Sequence, residues 1–142
     1  MAGLTDIALA TDEELTNYES DIVLLAADRS LSLAKYRASA MTRLRMEAAK
    51  DGIDEDLVLE DADDKRSLAL RDYATRLVLY YFWRDQSAGL EESVTTAKAR
   101  LARDDAEEAA VLFKEIGWPI EGGSTEIVKD VDQLPRVIEV LI

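Results

Sequence analysis

The stretch Leu77-Val78-Leu79-Tyr80-Tyr81-Phe82-Trp83 decides which folds this chain can adopt. Its last four residues are all aromatic. Because successive residues of a helix are rotated by about 100°, four consecutive side chains spread over roughly 300° and cannot all face one neighbour. The stretch is therefore either a strand buried on both faces or a helix that needs a second covering layer. That layer can come from the chain itself, from another copy or from a partner.

The spacing of apolar residues around this stretch favours a helix that begins after Asp61 or Asp63 and ends near Gln86. Its inner stripe consists of apolar and aromatic residues, namely Leu70, Tyr73, Ala74, Leu77, Tyr80 and Tyr81. Phe82 and Trp83 lie off that stripe. We therefore predict that Phe82 and Trp83 contact another subunit or a partner.

Capping signals place the other helices. Thr11 and Glu14 form a capping box, which predicts a short helix to about Glu19. The apolar residues after Ser20-Asp21 form a separate helix or continue the first one. An amphipathic helix follows from Ser30 or Ser32 to Lys50, and the last one spans about 90–116. The predicted fold is mainly α, a bundle-like domain of four or up to five helices.

The sequence loses its helical periodicity after Gly117. Trp118-Pro119 breaks the helix, Gly122-Gly123-Ser124 predicts a turn, and two β-prone pieces follow at 125–128 and 136–142. We predict a helical domain at 1–117 and an extended or β tail at 118–142. The apolar end of the tail is a candidate for strand addition to a partner. Its candidate residues are Val137, Ile138, Val140, Leu141 and Ile142.

The formal net charge of −13 is unevenly distributed. Residues 29–50 carry six basic side chains and one acidic one, whereas residues 51–64 carry eight acidic side chains and no basic one. These segments can pair within one subunit or between neighbouring copies, or the basic one can simply be a solvated helix face. The candidate interface residues outside the aromatic stretch and the tail are Arg43, Arg45, Asp54, Asp56, Asp61 and Trp118.

The composition argues against catalysis. The chain contains no cysteine and no histidine, which removes thiolate chemistry, the commonest general base and the commonest metal ligand. The acidic segment 51–64 lacks the glycine position of a calcium-binding loop. We predict no catalytic residue, no metal and no cofactor. The longest apolar run is far shorter than the ~20 residues that span a bilayer, so we expect a soluble protein without a membrane role.

The order of these parts resembles the head-completion, or head-to-tail adaptor, proteins of tailed bacteriophages and related prophages. The resemblance is carried by the segment Thr11 to Leu15, by the segment Leu70 to Tyr81, and by the alanine-rich helix that ends at Gly117. It covers about residues 10–117 and is one of layout. The acidic segment 51–64 and the two-piece tail have no counterpart in it.

The resemblance implies a structural protein of the virion, located at the head–tail junction and assembled in the cytoplasm of the bacterial host. About a dozen copies would form a ring that binds the portal protein, extends the DNA channel and docks the next tail or stopper protein. DNA would pass through without specific binding, because an acidic surface repels phosphates. The tail would add a strand to the portal or to an adjacent subunit.

Two other functions stay open at this point. The acidic composition suits a binding module such as a DNA-mimic inhibitor of a nucleic-acid enzyme, provided that carboxylates lie on one face with phosphate-like spacing. An enzyme built on carboxylates alone would need a concave pocket with acids of shifted pKa.

Overall fold

The computed structural model describes residues 3–87 and 94–120, and within these residues the chain is mainly helical, as the sequence predicts. Two short 3-10 turns at Leu4–Asp6 and Glu55–Leu57 accompany the helices. The five helices of the described residues are α1 (Asp12–Tyr18), α2 (Ile22–Asp28), α3 (Leu33–Lys50), α4 (Lys65–Ser87) and α5 (Val94–Ile116).

Local capping chemistry sets the ends of several helices. The Thr11 hydroxyl accepts the Glu14 backbone N–H at 3.2 Å, and the Glu14 carboxylate accepts the Thr11 N–H at 3.1 Å, which confirms the predicted capping box. Gly52 and Gly117 follow α3 and α5 with φ values of +73° and +98°. This left-handed conformation ends a helix at little cost only for glycine.

The start of α4 differs from the prediction. Asp64 caps this helix, because its carboxylate accepts the backbone N–H of Arg66 at 2.8 Å. The Asp61 carboxylate instead accepts the N–H of Asp63 at 3.0 Å and shapes the turn before the helix. Several acidic residues in a row offer competing caps, and only the geometry of the preceding loop selects one of them.

Helix α4 is the centre of the molecule. It packs along α5, against α3, and against α1. The N-terminal segment also lies on it, because the Arg71 guanidinium donates to the carbonyl of Ala8 at 3.0 Å. Twelve residues of α4 are buried, far more than one amphipathic stripe would provide. The chain itself therefore supplies the second covering layer that the aromatic stretch requires.

This arrangement corrects the prediction for Phe82 and Trp83. Phe82 is fully buried, and its ring lies edge-on to Tyr36 of α3 with the ring centroids 6.0 Å apart. Trp83 is 6% exposed, and the Lys98 ammonium of α5 lies 4.7 Å from its ring centroid. Neither side chain needs another subunit, since α3 and α5 cover opposite parts of α4. Tyr80, which was assigned to the inner stripe, is only partly buried.

The residues that follow α5 pack back onto the helical domain. Trp118 is buried against Phe113, with the ring centroids 4.8 Å apart. The Leu59 N–H donates to the carbonyl of Pro119 at 2.7 Å, beside an antiparallel bridge between Val58 and Ile120. The packed unit thus continues past the predicted boundary at 117/118, to residue 120. The rest of the predicted tail lies outside the described residues, including Val137, Ile138, Val140, Leu141 and Ile142.

Candidate partner interface

The basic and acidic segments meet within one subunit. The Arg45 guanidinium donates to both carboxylate oxygens of Glu55, at 3.0 and 3.2 Å. Arg43 donates to Glu47, one turn further along the same helix, at 3.0 Å. The opposite charges of the two segments are thus partly paired within one subunit. The side chains of Arg43 and Arg45 stay about half exposed beside their partners, so both can contact a second molecule as well.

The three predicted acidic contact residues lie on the surface. Asp54, Asp56 and Asp61 are exposed, and none of them forms an ion pair within residues 3–87 and 94–120. The Asp54 carboxylate accepts the Asp56 N–H at 3.0 Å, so part of this acidity shapes loop turns. The contact of these three residues with another copy remains a prediction.

A polar network that the sequence analysis missed joins α3, α4 and α5. The Glu47 carboxylate accepts hydrogen bonds from the Tyr73 hydroxyl, from Arg43 and, at 3.1 Å, from the Lys114 ammonium. Lys114 also donates to Asp51 at 2.6 Å. The only local signal in the sequence is the i,i+4 pair of Arg43 and Glu47. The other partners come together through tertiary packing alone.

Trp118 belongs to this network and is not a free contact residue. Its indole N–H donates to the Asp51 carboxylate at 2.9 Å, and its side chain is 5% exposed. Asp51 thus ties the segment after α5 to the end of α3. The prediction that Trp118 contacts a partner is wrong for the same reason as for Phe82: the chain buries the indole itself.

The network controls the ionisation of its own groups. Burial alone would raise the pKa of Glu47, but the hydrogen bonds from Tyr73, Lys114 and Arg43 lower it overall. The pKa of Asp51 is also lowered, since hydrogen bonds from Lys114 and Trp118 outweigh the effect of burial. A carboxylate with a lowered pKa and several donors is a poor general base. We assign the network a structural role.

An apolar cleft of about 740 Å³ lies between the N-terminal segment, α3 and α4. Its floor is formed by Ala40, Leu44, Ala74 and Val78. At its rim the Arg37 guanidinium donates to the carbonyl of Ala10 at 2.6 Å and pairs with Asp12. Arg37 and Asp12 at the rim are therefore already paired with each other. The walls suit apolar contacts more than chemistry.

The outer face of α5 is the second feature that the sequence analysis missed. It exposes large apolar side chains at helical spacing, with carboxylates interspersed among them, on the face opposite to the buried alanines of α5. Val94, Leu101 and Val111 are 77%, 62% and 61% exposed. A single exposed leucine is ordinary, but a row of apolar side chains along one helix marks a contact surface. We call it the outer stripe of α5, consisting of Val94, Leu101, Asp104, Glu108, Val111, Leu112 and Glu115.

Other classes of site find no support in the described part of the chain. Within residues 3–87 and 94–120, no group of three or more acidic side chains is arranged to hold a metal ion. None of the helices described there combines the length and the apolar character needed to cross a membrane.

Comparisons with known proteins assign no family to the chain. No protein-family model, no curated protein and no solved structure matches it. The resemblance of its helix order to the phage adaptor proteins therefore stays a prediction from the sequence.

Proposed function

We propose that this protein is a non-enzymatic virion assembly protein that forms a ring and acts as a head-to-tail adaptor of a tailed bacteriophage or prophage. The observation that carries the proposal is the outer stripe of α5, where large apolar side chains are exposed in a row. The resemblance in layout over residues 10–117 supports it. The aromatic stretch of α4 no longer does, because the chain covers Phe82 and Trp83 itself.

In this proposal the ring binds the portal protein on one side and docks the next tail or stopper protein on the other. DNA passes through the ring without specific binding. The formal net charge of −13 supports this, because an acidic lumen discourages contacts with phosphates. The segment 137–142 is proposed to add a strand to the portal or to an adjacent subunit.

Sedimentation velocity and negative-stain imaging test the proposal, on the chain alone and on the chain mixed with portal. We expect closed rings, either free in solution or formed on the portal. A matched variant with Leu101→Asp and Leu112→Asp should keep the fold and lose the ring, because charged side chains at the stripe cannot be buried unpaired. A rigid monomer that never forms rings and ignores the portal would contradict the proposal.

A deletion of residues 137–142 tests the proposed role of the tail. We expect rings that no longer bind portal, or subunits that no longer assemble. Normal assembly and normal portal binding by the shortened chain would show that this segment has no docking role.

The exposed carboxylates of Asp54, Asp56 and Asp61 favour one alternative, a DNA-mimic inhibitor of a nucleic-acid enzyme. Such a protein would compete with DNA for a basic partner, and the competition would weaken as the salt concentration rises. The absence of competition at low salt would exclude the alternative.

A further inference from the structure

The outer stripe of α5 combines apolar and acidic side chains along its whole length. Leu101 and Leu112 lie on it with the carboxylates of Asp104, Glu108 and Glu115 interspersed at helical spacing. All five side chains are exposed. A stripe of this kind needs a partner that offers apolar contact and positive charge together.

The outer face of α3 offers that combination. Met46 is 64% exposed in the C-terminal half of this face, and Arg45 and Lys50 lie near it on the same helix. Lys35 lies on the same face near the start of α3 and is also exposed. The single acidic residue of α3, Glu47, points inward to the network of Tyr73 and Lys114. The exposed face of α3 therefore carries basic, apolar and small polar side chains and no carboxylate.

The two helices that carry these faces have comparable lengths. At 1.5 Å per residue, the 18 residues of α3 span roughly 27 Å and the 23 residues of α5 roughly 35 Å. Two exposed helices of this length can pack side by side with their ridges and grooves interdigitated. Neither face is covered by another described element of the same chain, since the charged and apolar residues concerned remain exposed.

Charge determines how copies of the chain can pair. A symmetric contact of one α5 stripe with another would place Glu108 and Glu115 against carboxylates, which is repulsive. A contact of α5 with α3 places carboxylates against ammonium and guanidinium groups. We propose that the outer stripe of α5 docks on the Lys35–Lys50 face of α3 in the next copy. This inference rests on the proposed ring function, because such head-to-tail contacts generate rings when the rotation closes.

Two charge-reversed variants test the contact. The first carries Glu108→Lys and Glu115→Lys, and the second carries Lys35→Glu and Lys50→Glu. None of these four residues has an ion pair among residues 3–87 and 94–120, so we expect both variants to fold. Circular dichroism checks that they do. Each variant alone should weaken the association of subunits at least about tenfold in sedimentation velocity, since like charges then face each other.

Mixing the two variants gives the decisive measurement. The first has two positive faces and the second two negative ones, so they should assemble only with each other, in alternating rings with an even number of subunits. A chain with all four substitutions should also assemble by itself. Restoration in either case cannot come from a purely structural role of the four residues.

The matched control carries Asp28→Lys and Asp63→Lys, two exposed positions outside both helix faces and outside the predicted contact residues, and it changes the net charge by the same amount as the first variant. It should assemble like the wild type. Three results would overturn this contact and leave the proposed function standing. They are rings that survive both charge-reversed variants, mixtures of the two variants that do not assemble, and a control that loses the ring. A wild-type chain that never associates, alone or on the portal, would overturn both.

Discussion

The aromatic stretch of α4 and the outer stripe of α5 are both rich in large apolar side chains, yet they have opposite environments. The chain buries Phe82 completely between neighbouring helices, whereas Leu101 on α5 is 62% exposed. The density of large apolar side chains is highest in the α4 stretch 77–83, where all seven residues are apolar or aromatic, whereas the longest run of large apolar residues in α5 is Val111-Leu112-Phe113. The comparison teaches that density marks the most enclosed helix, while the face left without a neighbour marks the surface available to partners.

The comparison predicts the largest loss of stability at Phe82. Phe82→Ala should lower the free energy of unfolding by about 3–5 kcal/mol, because it leaves a cavity in a fully buried site. Urea denaturation followed by circular dichroism measures this effect. Tyr80→Ala is the matched control on the same helix and should cost clearly less, since the Tyr80 ring is only partly buried. Equal losses for the two variants would show that α4 is not enclosed at Phe82.

The network at the meeting point of α3, α4 and α5 should have the next largest effect. Glu47→Gln should cost about 1.5–3 kcal/mol at neutral pH, because it weakens charge-assisted hydrogen bonds from Tyr73, Arg43 and Lys114. Urea denaturation of both chains at a fixed pH checks this. A wild-type free energy of unfolding in the variant would contradict the structural role of the network.

The same network predicts a dependence on pH. The folded pKa of Glu47 lies below its ordinary value of 4.5, and that of Asp51 below 3.8. Each carboxylate therefore adds stability that is present above its ordinary value and is lost as the pH falls toward its folded pKa. Denaturation midpoints should drop below pH 4.5 in the wild type and drop less steeply in Glu47→Gln. Identical pH profiles would assign the acid sensitivity to other carboxylates.

A smaller loss is expected where the N-terminal segment meets the acidic loop. A Cβ at Gly3 would lie 2.8 Å from the Asp56 Cα and 2.9 Å from the Glu55 carbonyl oxygen, so the backbone must shift. Gly3→Ala should cost about 1–3 kcal/mol by overpacking. Thermal denaturation measures it. Gly52→Ala is an instructive comparison, since nothing lies within 4 Å of its added Cβ and only its φ of +73° is strained.

The smallest change in stability is expected on the outer stripe of α5. Leu101→Ser should alter the free energy of unfolding by no more than about 0.5 kcal/mol, because the side chain is already in water. It should nevertheless weaken the association of subunits in sedimentation velocity. A large loss of stability without any effect on association would reverse the comparison between α4 and α5.

The sequence was sufficient for the features that depend on neighbouring residues. The capping box of Thr11 and Glu14 and the glycines after α3 and α5 act within one helical turn, so their effects follow from local spacing. Phe82 could not be placed in this way, because its burial depends on how many elements surround α4. A stripe assignment assumes one neighbour on one side, and a central helix violates that assumption.

The polar network around Glu47 and the outer stripe of α5 differ in how far they could be predicted from the sequence. The contact of Glu47 with Tyr73 and Lys114 leaves no periodic trace, since its members lie on three helices. The outer stripe of α5 does leave one, because Leu101 and Leu112 recur at helical spacing among acidic residues. Ala106 and Ala109 mark the buried face of α5, and a helix with a second apolar face requires both faces to be considered.

The burial of both tryptophans has a spectroscopic consequence. The chain contains two, Trp83 and Trp118, and each is shielded from solvent by its own subunit. Trp118 also reports on the packing of the segment after α5 against α3, because its indole N–H donates to the carboxylate of Asp51 at the end of α3. In a Trp83→Phe chain, the emission of Trp118 would shift to the red when the segment after α5 leaves α3. It would stay constant when subunits associate through α3 and α5, so the opening of a subunit and its association can be followed as separate events.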